Sequence, residues 1–163
     1  MYYSGIAECD VLNGTGFRVV LFVSGCENYC SGCHNQKAWD YTFGHPFTDK
    51  TKEYIYDCLS KPYIDGISIL GGDPFAPKNR QEVCNFIADI RAKFGTSKNI
   101  WVWTGYTLEE VEELNIPVNN IDVMIDGRYE KDKRDVSLKF RGSSNQRILH
   151  NTDKGWRDVT DEA

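Results

Sequence analysis

Short apolar runs separated by longer amphipathic stretches dominate the hydrophobic pattern of this 163-residue chain. A run of four to eight apolar residues is typical of a buried strand, and strands rich in Val and Ile favour this interpretation. The runs predict strands at residues 5–12, 17–24, 66–70, 100–104 and 121–125. Residues 136–141 and 146–150 are predicted to pair near the C-terminus.

Apolar residues at helical spacing predict helices between these strands. Residues 48–59 place Tyr54, Ile55 and Cys58 on one face, and a second helix is predicted over residues 80–94. Thr107 is followed three residues later by Glu110, which is the capping-box pattern that opens a helix.

Alternating strands and helices indicate an α/β fold with parallel strands joined by right-handed crossovers. The chain has too few such units for a closed eight-fold barrel, which needs about 250 residues. Ligands of parallel α/β sheets bind at the carboxyl ends of the strands. Four segments that follow predicted strands are therefore expected to line one site: residues 26–33, 71–73, 104–105 and 126–127.

Three cysteines in eight residues are the sharpest chemical signal. Cys26, Cys30 and Cys33 have the spacing C-x3-C-x2-C directly after a predicted strand. Three thiolates can hold an iron–sulfur cluster, and a four-iron cluster would then keep one iron without a protein ligand. The alternative is a structural zinc site, but such a site closes with four ligands and the sequence shows no second ligand pair.

A glycine pair and an acid follow the strand predicted at residues 66–70. Gly71 and Gly72 lack a β-carbon and would let backbone approach a ligand closely, while Asp73 offers an acceptor for a cationic amine. The alternative is an ordinary turn, since glycine, aspartate and the following Pro74 all favour turns.

Together these motifs resemble the radical S-adenosylmethionine (SAM) enzymes. Within that superfamily the chain is similar to the activating enzymes of glycyl-radical proteins, and in particular to the family that activates anaerobic (class III) ribonucleotide reductase. The resemblance spans residues 2–150 and implies an open partial (β/α) barrel, with residues 1–163 forming a single domain. The segments that carry it are residues 13–18, 26–33, 67–74, 101–106, 122–127 and 141–147.

The resemblance also implies roles for particular residues. The three cysteines would bind a [4Fe-4S] cluster, and the loop of Gly71, Gly72 and Asp73 would bind the amino group of SAM. Gly32 and His34 would touch the adenine through backbone groups. Thr104 and Asp126 are candidates for the sulfonium side, carboxylate or ribose hydroxyls of SAM, and the alternative is that they are ordinary polar strand-end residues. Ser143, Asn145 and Arg147 are candidates for the SAM carboxylate or for an incoming partner loop, and the alternative is a polar hairpin turn.

The reaction implied by the resemblance is reductive cleavage of SAM, which yields methionine and a radical that abstracts hydrogen from a glycine of the reductase. The electron would come from a reduced flavodoxin- or ferredoxin-type protein. Alternative functions are activation of another glycyl-radical enzyme, another small radical SAM activity, an iron–sulfur electron carrier, or a zinc-stabilised binding module.

Composition and charge bear on which partners the protein binds and where in the cell it is located. A net charge of −5 argues against a nucleic-acid-binding face as the main function. The sequence has no run near the roughly 20 apolar residues of a membrane span and no visible signal peptide, so we expect no membrane association and a cytoplasmic location. The other cysteines, Cys9, Cys58 and Cys84, are scattered and are expected to be buried apolar residues.

Overall fold

Residues 1–33 and 35–162 are described by a computed structural model of the chain. Within these residues one sheet contains eight strands: β1 (Tyr2–Asp10), β2 (Arg18–Val23), β3 (His45–Pro46), β4 (Gly66–Gly71), β5 (Asn99–Trp103), β6 (Val123–Asp126), β7 (Arg147–Thr152) and β8 (Gly155–Asp158). Their order across the sheet is β3-β1-β2-β4-β5-β6-β7-β8. The α/β class is confirmed.

The four central strands are parallel, whereas the strands at both edges are antiparallel. β2, β4, β5 and β6 pair in parallel, and β1, β3, β7 and β8 pair antiparallel with their neighbours. The alternation of strands and helices therefore predicts the centre of the sheet correctly. The sheet as a whole is mixed, because the strands at both edges pair antiparallel with their neighbours. Only β1–β2 and β7–β8 have the short connections that allow nothing but antiparallel pairing.

Three α-helices in the described residues agree closely with the sequence pattern. They are α1 (Asp49–Leu59), α2 (Arg80–Phe94) and α3 (Leu108–Glu113). Thr48 caps α1 in a capping box with Thr51, and Thr107 caps α3 in a capping box with Glu110. Each box satisfies two backbone donors that would otherwise lack partners at the helix start.

The predicted pairing of residues 136–141 with 146–150 is wrong. In the described part of the chain residues 136–141 form no strand; a single bridge joins Arg134 to Ser143 instead. β7 pairs with β6 on one side and with β8 on the other. Gly155, with φ of 103°, ends the tight turn that joins β7 to β8, and this short hairpin leaves no place for a more distant segment.

Alternating residues of the central strands face two different cores. One set packs with the helices and includes Leu21, Ile69 and Val102. The other set forms a smaller cluster of Trp101, Ile125 and their neighbours on the opposite face. Both faces are covered, as expected for parallel strands with nearly continuous apolar sequence.

Arg18 is fully buried on the second face, where it closes the amino-terminal end of the parallel strands. Its guanidinium donates to Ser68 Oγ at 2.7 Å, to Asn99 Oδ1 at 2.6 Å and to the Ile67 carbonyl at 2.8 Å. It also lies 5.2 Å from the ring centre of Trp101. Burial lowers the pKa of Arg18 to about 10.

The glycines before β2 are explained by this arginine and its surroundings. Gly14 has φ of +112°, and a β-carbon there would lie 2.7 Å from the Arg18 side chain. Gly16 has φ of +76°, and a β-carbon there would lie 2.1 Å from Asp65. Glycine is therefore required at both positions by backbone conformation and by space.

We expect Arg18→Met to destabilise the chain by about 3 kcal/mol, because it leaves several buried acceptors without a donor. The measurement is urea unfolding followed by circular dichroism. Arg157→Ala is the control, since Arg157 pairs with Glu162 at the surface and its loss should change the free energy of unfolding by less than about 0.5 kcal/mol. Equal effects of the two substitutions would contradict a structural role for the buried guanidinium.

Candidate functional site

The carboxyl ends of β2, β4, β5 and β6 meet at one edge of the sheet and enclose a cavity of about 520 Å³. Each strand contributes an apolar side chain to the cavity wall: Phe22, Leu70, Trp103 and Ile125. Two of these pairs lie opposite each other in the sheet, Phe22 with Leu70 and Trp103 with Ile125. The loops that follow the four strands complete the cavity.

The cysteine loop carries all three predicted ligands into this cavity. Cys26 is buried, Cys30 and Cys33 are half-buried, and all three line the cavity. Backbone bonds from Gly25 to the Ala38 carbonyl and from Cys26 to the Trp39 carbonyl hold the start of the loop. Among the described residues, no group of three or more His, Cys, Asp and Glu is compact enough for a single metal ion.

The surroundings of the thiols favour their neutral form. Burial raises the pKa of Cys26 to about 11, although hydrogen bonds from the backbone and side chain of Asn28 oppose the shift. Burial also raises the pKa of Cys30, against a hydrogen bond from the Tyr129 backbone. Metal ligands must be thiolates, so binding of iron has to release these protons.

The other predicted residues of this loop have different positions. Gly32 has φ of +77°, and the space for its side chain is occupied by Lys131. It lies between the two cavity-lining thiols of Cys30 and Cys33 and does not itself line the cavity. His34 lies outside the described residues.

Gly71 and Gly72 line the cavity, but their lack of side chains serves contacts within the chain. A β-carbon at Gly71 would lie 2.4 Å from the Val23 carbonyl oxygen, and one at Gly72 would lie 2.5 Å from the Gly25 carbonyl oxygen. Gly72 and Asp73 donate to those same two carbonyl oxygens, at 2.8 and 2.7 Å. The glycine pair therefore fits the end of β4 tightly against the start of the cysteine loop.

Asp73 is 1% exposed and accepts four hydrogen bonds from three different loops. Oδ1 accepts from the Phe75 backbone at 2.9 Å and from Thr104 Oγ1 at 2.8 Å. Oδ2 accepts from Asn28 Nδ2 at 2.7 Å and from the Gly105 backbone at 2.9 Å. Burial raises the pKa of Asp73, while all four donors stabilise its ionised form and oppose that shift.

Thr104 lies where the sequence predicts it, in the cavity wall at the end of β5. Its hydroxyl donates to Asp73 and accepts from the Tyr106 backbone at 3.1 Å. Both hydrogen bonds of the Thr104 hydroxyl are therefore made within the chain. Thr104 would affect a ligand indirectly, by orienting the carboxylate of Asp73.

Asp126 does not line the cavity, contrary to the expectation from its position at a strand end. Ile125 lines it instead, and successive side chains of a strand point to opposite faces. The Asp126 carboxylate accepts from the Leu108 backbone at 2.8 Å and from Arg147 Nε at 3.0 Å. The carboxylates of Asp126 and Glu109 raise the pKa of Arg147, so this ion pair joins β6, β7 and α3.

Ser143 and Asn145 are also occupied within the loop between β6 and β7. Ser143 Oγ accepts from the Glu130 backbone at 3.1 Å, and Asn145 Nδ2 donates to the Arg128 carbonyl at 2.7 Å. Asn145 Oδ1 is buried and has no hydrogen-bond partner in the described residues. Gln146 of the same segment does line the cavity, and its amide bonds Gly142, Ser143 and Gly127.

Asn28 and Tyr129 are site residues that the sequence patterns do not single out. Both line the cavity, Asn28 lowers the pKa of Cys26 against the effect of burial, and the Tyr129 backbone does the same for Cys30. The sequence feature that could have identified Asn28 is its position as an amide residue between Cys26 and Cys30 of the cysteine motif. No comparable signal exists for Tyr129, which reaches the cysteine loop from about a hundred residues away.

The residues present fit an iron–sulfur cluster. Three thiols share one cavity, and the cavity is large enough to hold more than the thiols alone. Cysteine thiolates are the usual protein ligands of such clusters.

Comparison with known proteins agrees with this chemistry. A family model described as "4Fe-4S single cluster domain" matches residues 12–149. The anaerobic ribonucleoside-triphosphate reductase-activating protein of Enterobacteria phage T4 is 45% identical over 157 residues, which cover 96% of this chain and 99% of that protein. The chain belongs to this family of activating proteins.

Two further members of the family, which carry the same name, match almost as fully. The Escherichia coli K12 protein is 41% identical over 153 residues, covering 92% of this chain and 99% of its own. The Pasteurella multocida protein is 40% identical over 157 residues, covering 93% and 99%. Of the helices in the described ranges, none combines the length and the apolar character needed to cross a membrane.

We expect Cys26→Ala, Cys30→Ala and Cys33→Ala each to abolish cluster binding, because each removes one of three thiols in the cavity. The measurement is iron and sulfide content with the visible absorption of the anaerobically reconstituted chain. Cys9→Ala, Cys58→Ala and Cys84→Ala are matched controls. The expectation that these three cysteines are buried is wrong, since Cys9 is exposed on β1 while Cys58 on α1 and Cys84 on α2 are half-buried. Loss of iron in any control would refute the ligand assignment.

Proposed function

We propose that this chain is a radical SAM enzyme that generates a glycyl radical on anaerobic ribonucleoside-triphosphate reductase. The observation that carries the proposal is the combination of near full-length similarity to reductase-activating proteins with three thiols in a strand-end cavity. An enzyme of this kind needs a cluster with an open iron, a place for SAM beside it, and access for a protein substrate.

Cys26, Cys30 and Cys33 are the proposed cluster ligands. A [4Fe-4S] cluster held by three cysteines keeps one iron free for SAM, and it supplies the electron that cleaves the sulfonium bond when both are bound. The residues of the chain hold the cluster, exclude water from it and orient the SAM molecule.

SAM is proposed to occupy the rest of the cavity. A volume of about 520 Å³ lies in the range of about 300–1,000 Å³ that small-molecule sites usually have. The apolar side chains at the strand ends provide a dry wall, and Asp73 is the buried anion that would receive the SAM amino group. Gly71, Gly72 and Thr104 shape the wall beside that carboxylate.

The remaining predicted residues have different proposed roles. Gly32 and His34 are proposed to meet the adenine through backbone groups. Since Asp126, Ser143 and Arg147 are bonded within the chain, we propose that they hold the loop after β6 against the cavity. Asn145 has a free acceptor at Oδ1 and is retained as a proposed contact for SAM or for the partner.

The proposed setting of the reaction follows from the same family. The sheet is proposed to be the open partial barrel of radical SAM enzymes, which its four parallel strands support. A sheet that runs from residue 2 to residue 158 supports a single domain. The proposed electron donor is a reduced flavodoxin- or ferredoxin-type protein in the cytoplasm, and neither a membrane nor a nucleic acid is a proposed partner.

We predict that Asp73→Asn weakens SAM binding about tenfold or more while the cluster is retained. The amide removes the negative charge and turns one acceptor atom into a donor that faces two other donors. The measurement is anaerobic calorimetry with the oxidised cluster. Asp57→Asn, on the exposed face of α1, removes the same charge and should bind SAM like the unchanged chain. Equal SAM affinity of all three chains would exclude Asp73 as the amine acceptor.

We also predict a glycyl radical on the reductase. An anaerobic mixture of this chain, class III ribonucleotide reductase, SAM and a reductant should give a glycyl doublet in electron paramagnetic resonance. Omission of SAM, or use of Cys30→Ala, should remove the doublet. Cleavage of SAM without a doublet would favour another glycyl-radical enzyme as the partner, and no cleavage at all would favour an iron–sulfur electron carrier.

A further inference from the structure

The side chains of the cysteine loop alternate between the cavity and the protein surface. Cys26, Asn28 and Cys30 line the cavity wall and are buried or half-buried. The residues that follow each of them are exposed and take no part in that wall. They form the outer face of the cysteine loop, which consists of Glu27, Tyr29 and Ser31. One loop therefore separates the thiols in the cavity from an exposed surface.

Tyr29 is the largest side chain of the outer face. It is 62% exposed, and its backbone has φ of 48°, in the left-handed region that bulky residues rarely adopt. Such a conformation costs on the order of 1–3 kcal/mol and persists only where the surrounding structure holds it. The ring of Trp39 packs against Tyr29 in a T-shaped contact, with 5.2 Å between the ring centres. An exposed tyrosine held in this way offers a partner a large apolar area and has little freedom left to lose.

Two lysines lie beside the cysteine loop. Lys131 packs along Gly32, with its side chain 3.0 Å from the position that a β-carbon there would take. Lys78 Nζ lies 5.1 Å from the ring centre of Tyr41, whose hydroxyl donates to the carboxylate of Glu27. Positive charges therefore lie near both ends of the outer face.

A third lysine and the surrounding sequence add to this positive charge. Lys37 is exposed and lies two positions before Trp39, which contacts the outer face. Within the described part of the chain, no salt bridge includes Lys37, Lys78 or Lys131. Residues 128–141 carry six Lys or Arg residues against three Asp or Glu, although the whole chain has a net charge of −5. The surroundings of the cysteine loop are thus locally basic in an acidic protein.

The proposed reaction needs an electron from outside the chain, and the cavity is already assigned to other molecules. SAM is the proposed occupant of the cavity, and the glycine of the reductase has to reach the same space. A donor bound to the outer face would approach the cluster through the loop that carries its ligands. It would compete with neither SAM nor the reductase.

We propose that the outer face of the cysteine loop is the docking surface for an acidic, flavodoxin-type electron donor. This inference rests on the proposed function. Tyr29 supplies the apolar contact at the centre, and the three lysines attract the negative surface of the donor. Unpaired surface cations increase the rate of encounter with a partner of opposite charge. A planar flavin ring suits an exposed tyrosine, since aromatic rings pack well in stacked or edge contacts, and this favours a flavin carrier over an iron–sulfur carrier.

The step at this surface transfers one electron. The anionic hydroquinone of the flavin loses the electron and becomes the neutral semiquinone, and the cluster of this chain gains it. No proton or other group has to move between the two proteins. The electron is then available for cleavage of SAM in the cavity.

The experiment compares Tyr29→Asn, Lys37→Glu and Lys78→Glu with the unchanged chain and with Lys154→Glu. Asparagine adopts positive φ more readily than most residues, so it removes the ring and keeps the backbone. Lys154 is exposed in the turn between β7 and β8, at the amino-terminal end of the parallel strands, and its reversal changes the net charge by the same amount. Iron content and thermal unfolding first verify that all five chains fold and hold the cluster.

The first measurement is binding of oxidised flavodoxin to the reconstituted chain by anaerobic calorimetry at low salt. Tyr29→Asn should weaken binding about tenfold, as expected for a central aromatic contact. Each lysine reversal should weaken it about threefold and make it less dependent on salt, whereas Lys154→Glu should bind like the unchanged chain. Carbodiimide, which joins an amine directly to a carboxylate, should cross-link the lysines beside the outer face to the flavodoxin.

The second measurement is the rate of 5′-deoxyadenosine formation with two reductants. With reduced flavodoxin at a concentration below saturation, the three outer-face variants should be slower by the same factors as their loss of affinity. With dithionite, a small ion that needs no docking surface, all five chains should react at equal rates.

Unchanged flavodoxin affinity in the three outer-face variants would overturn the inference, and so would equal losses of rate with both reductants. The same titrations with a ferredoxin and with the reductase test the identity of the partner. Weaker binding of either of these, with flavodoxin unaffected, would also overturn it. If the unchanged chain cleaves no SAM with dithionite, the proposed function itself fails. If it cleaves SAM and the outer-face variants behave like Lys154→Glu, the docking inference alone is wrong.

Discussion

The buried carboxylate of Asp73 is the interaction on which the arrangement of the site depends. A charged carboxylate removed from water is costly unless donors replace its hydration. Here the cysteine loop, the loop after β4 and the loop after β5 all supply donors to it. The need to satisfy one charge thus fixes three loops relative to one another. The cavity and the thiols within it keep their shape because these loops are fixed.

The parallel strands bring the three loops to one edge of the sheet, and glycines allow the loops to approach each other within hydrogen-bond distance. β2, β4 and β5 end at the same edge, so their loops start as neighbours. Gly71, Gly72 and Gly105 then remove the side chains that would separate those loops by more than hydrogen-bond distance. At the opposite end of the strands, the buried guanidinium of Arg18 satisfies acceptors from neighbouring strands. Polar contacts at both ends of the parallel strands therefore hold neighbouring strands and their loops together.

The sequence predicts those parts of the fold and site that local patterns determine. Apolar spacing and capping residues locate α1, α2 and α3 closely, and strand-end positions bring Cys26, Gly71, Asp73 and Thr104 to one cavity. The partner of β7 could not be predicted, because an alternating pattern specifies a face and does not specify a neighbour.

Side-chain direction and long-range contacts account for the other differences between the predicted site and the observed one. Asp126 follows a strand as predicted, yet strand parity directs it away from the cavity that Ile125 lines. The bond from Asn28 to Asp73 joins residues 45 positions apart, and no local pattern contains that information.

The central claim is that the thiols and the carboxylate form one site for reductive cleavage of SAM. The most direct measurement is a chromatographic assay of the reconstituted, reduced chain with SAM and without the reductase. We expect 5′-deoxyadenosine and methionine in equal amounts, and neither product from a chain without its cluster. A fully loaded, reduced cluster that leaves SAM intact would contradict the account.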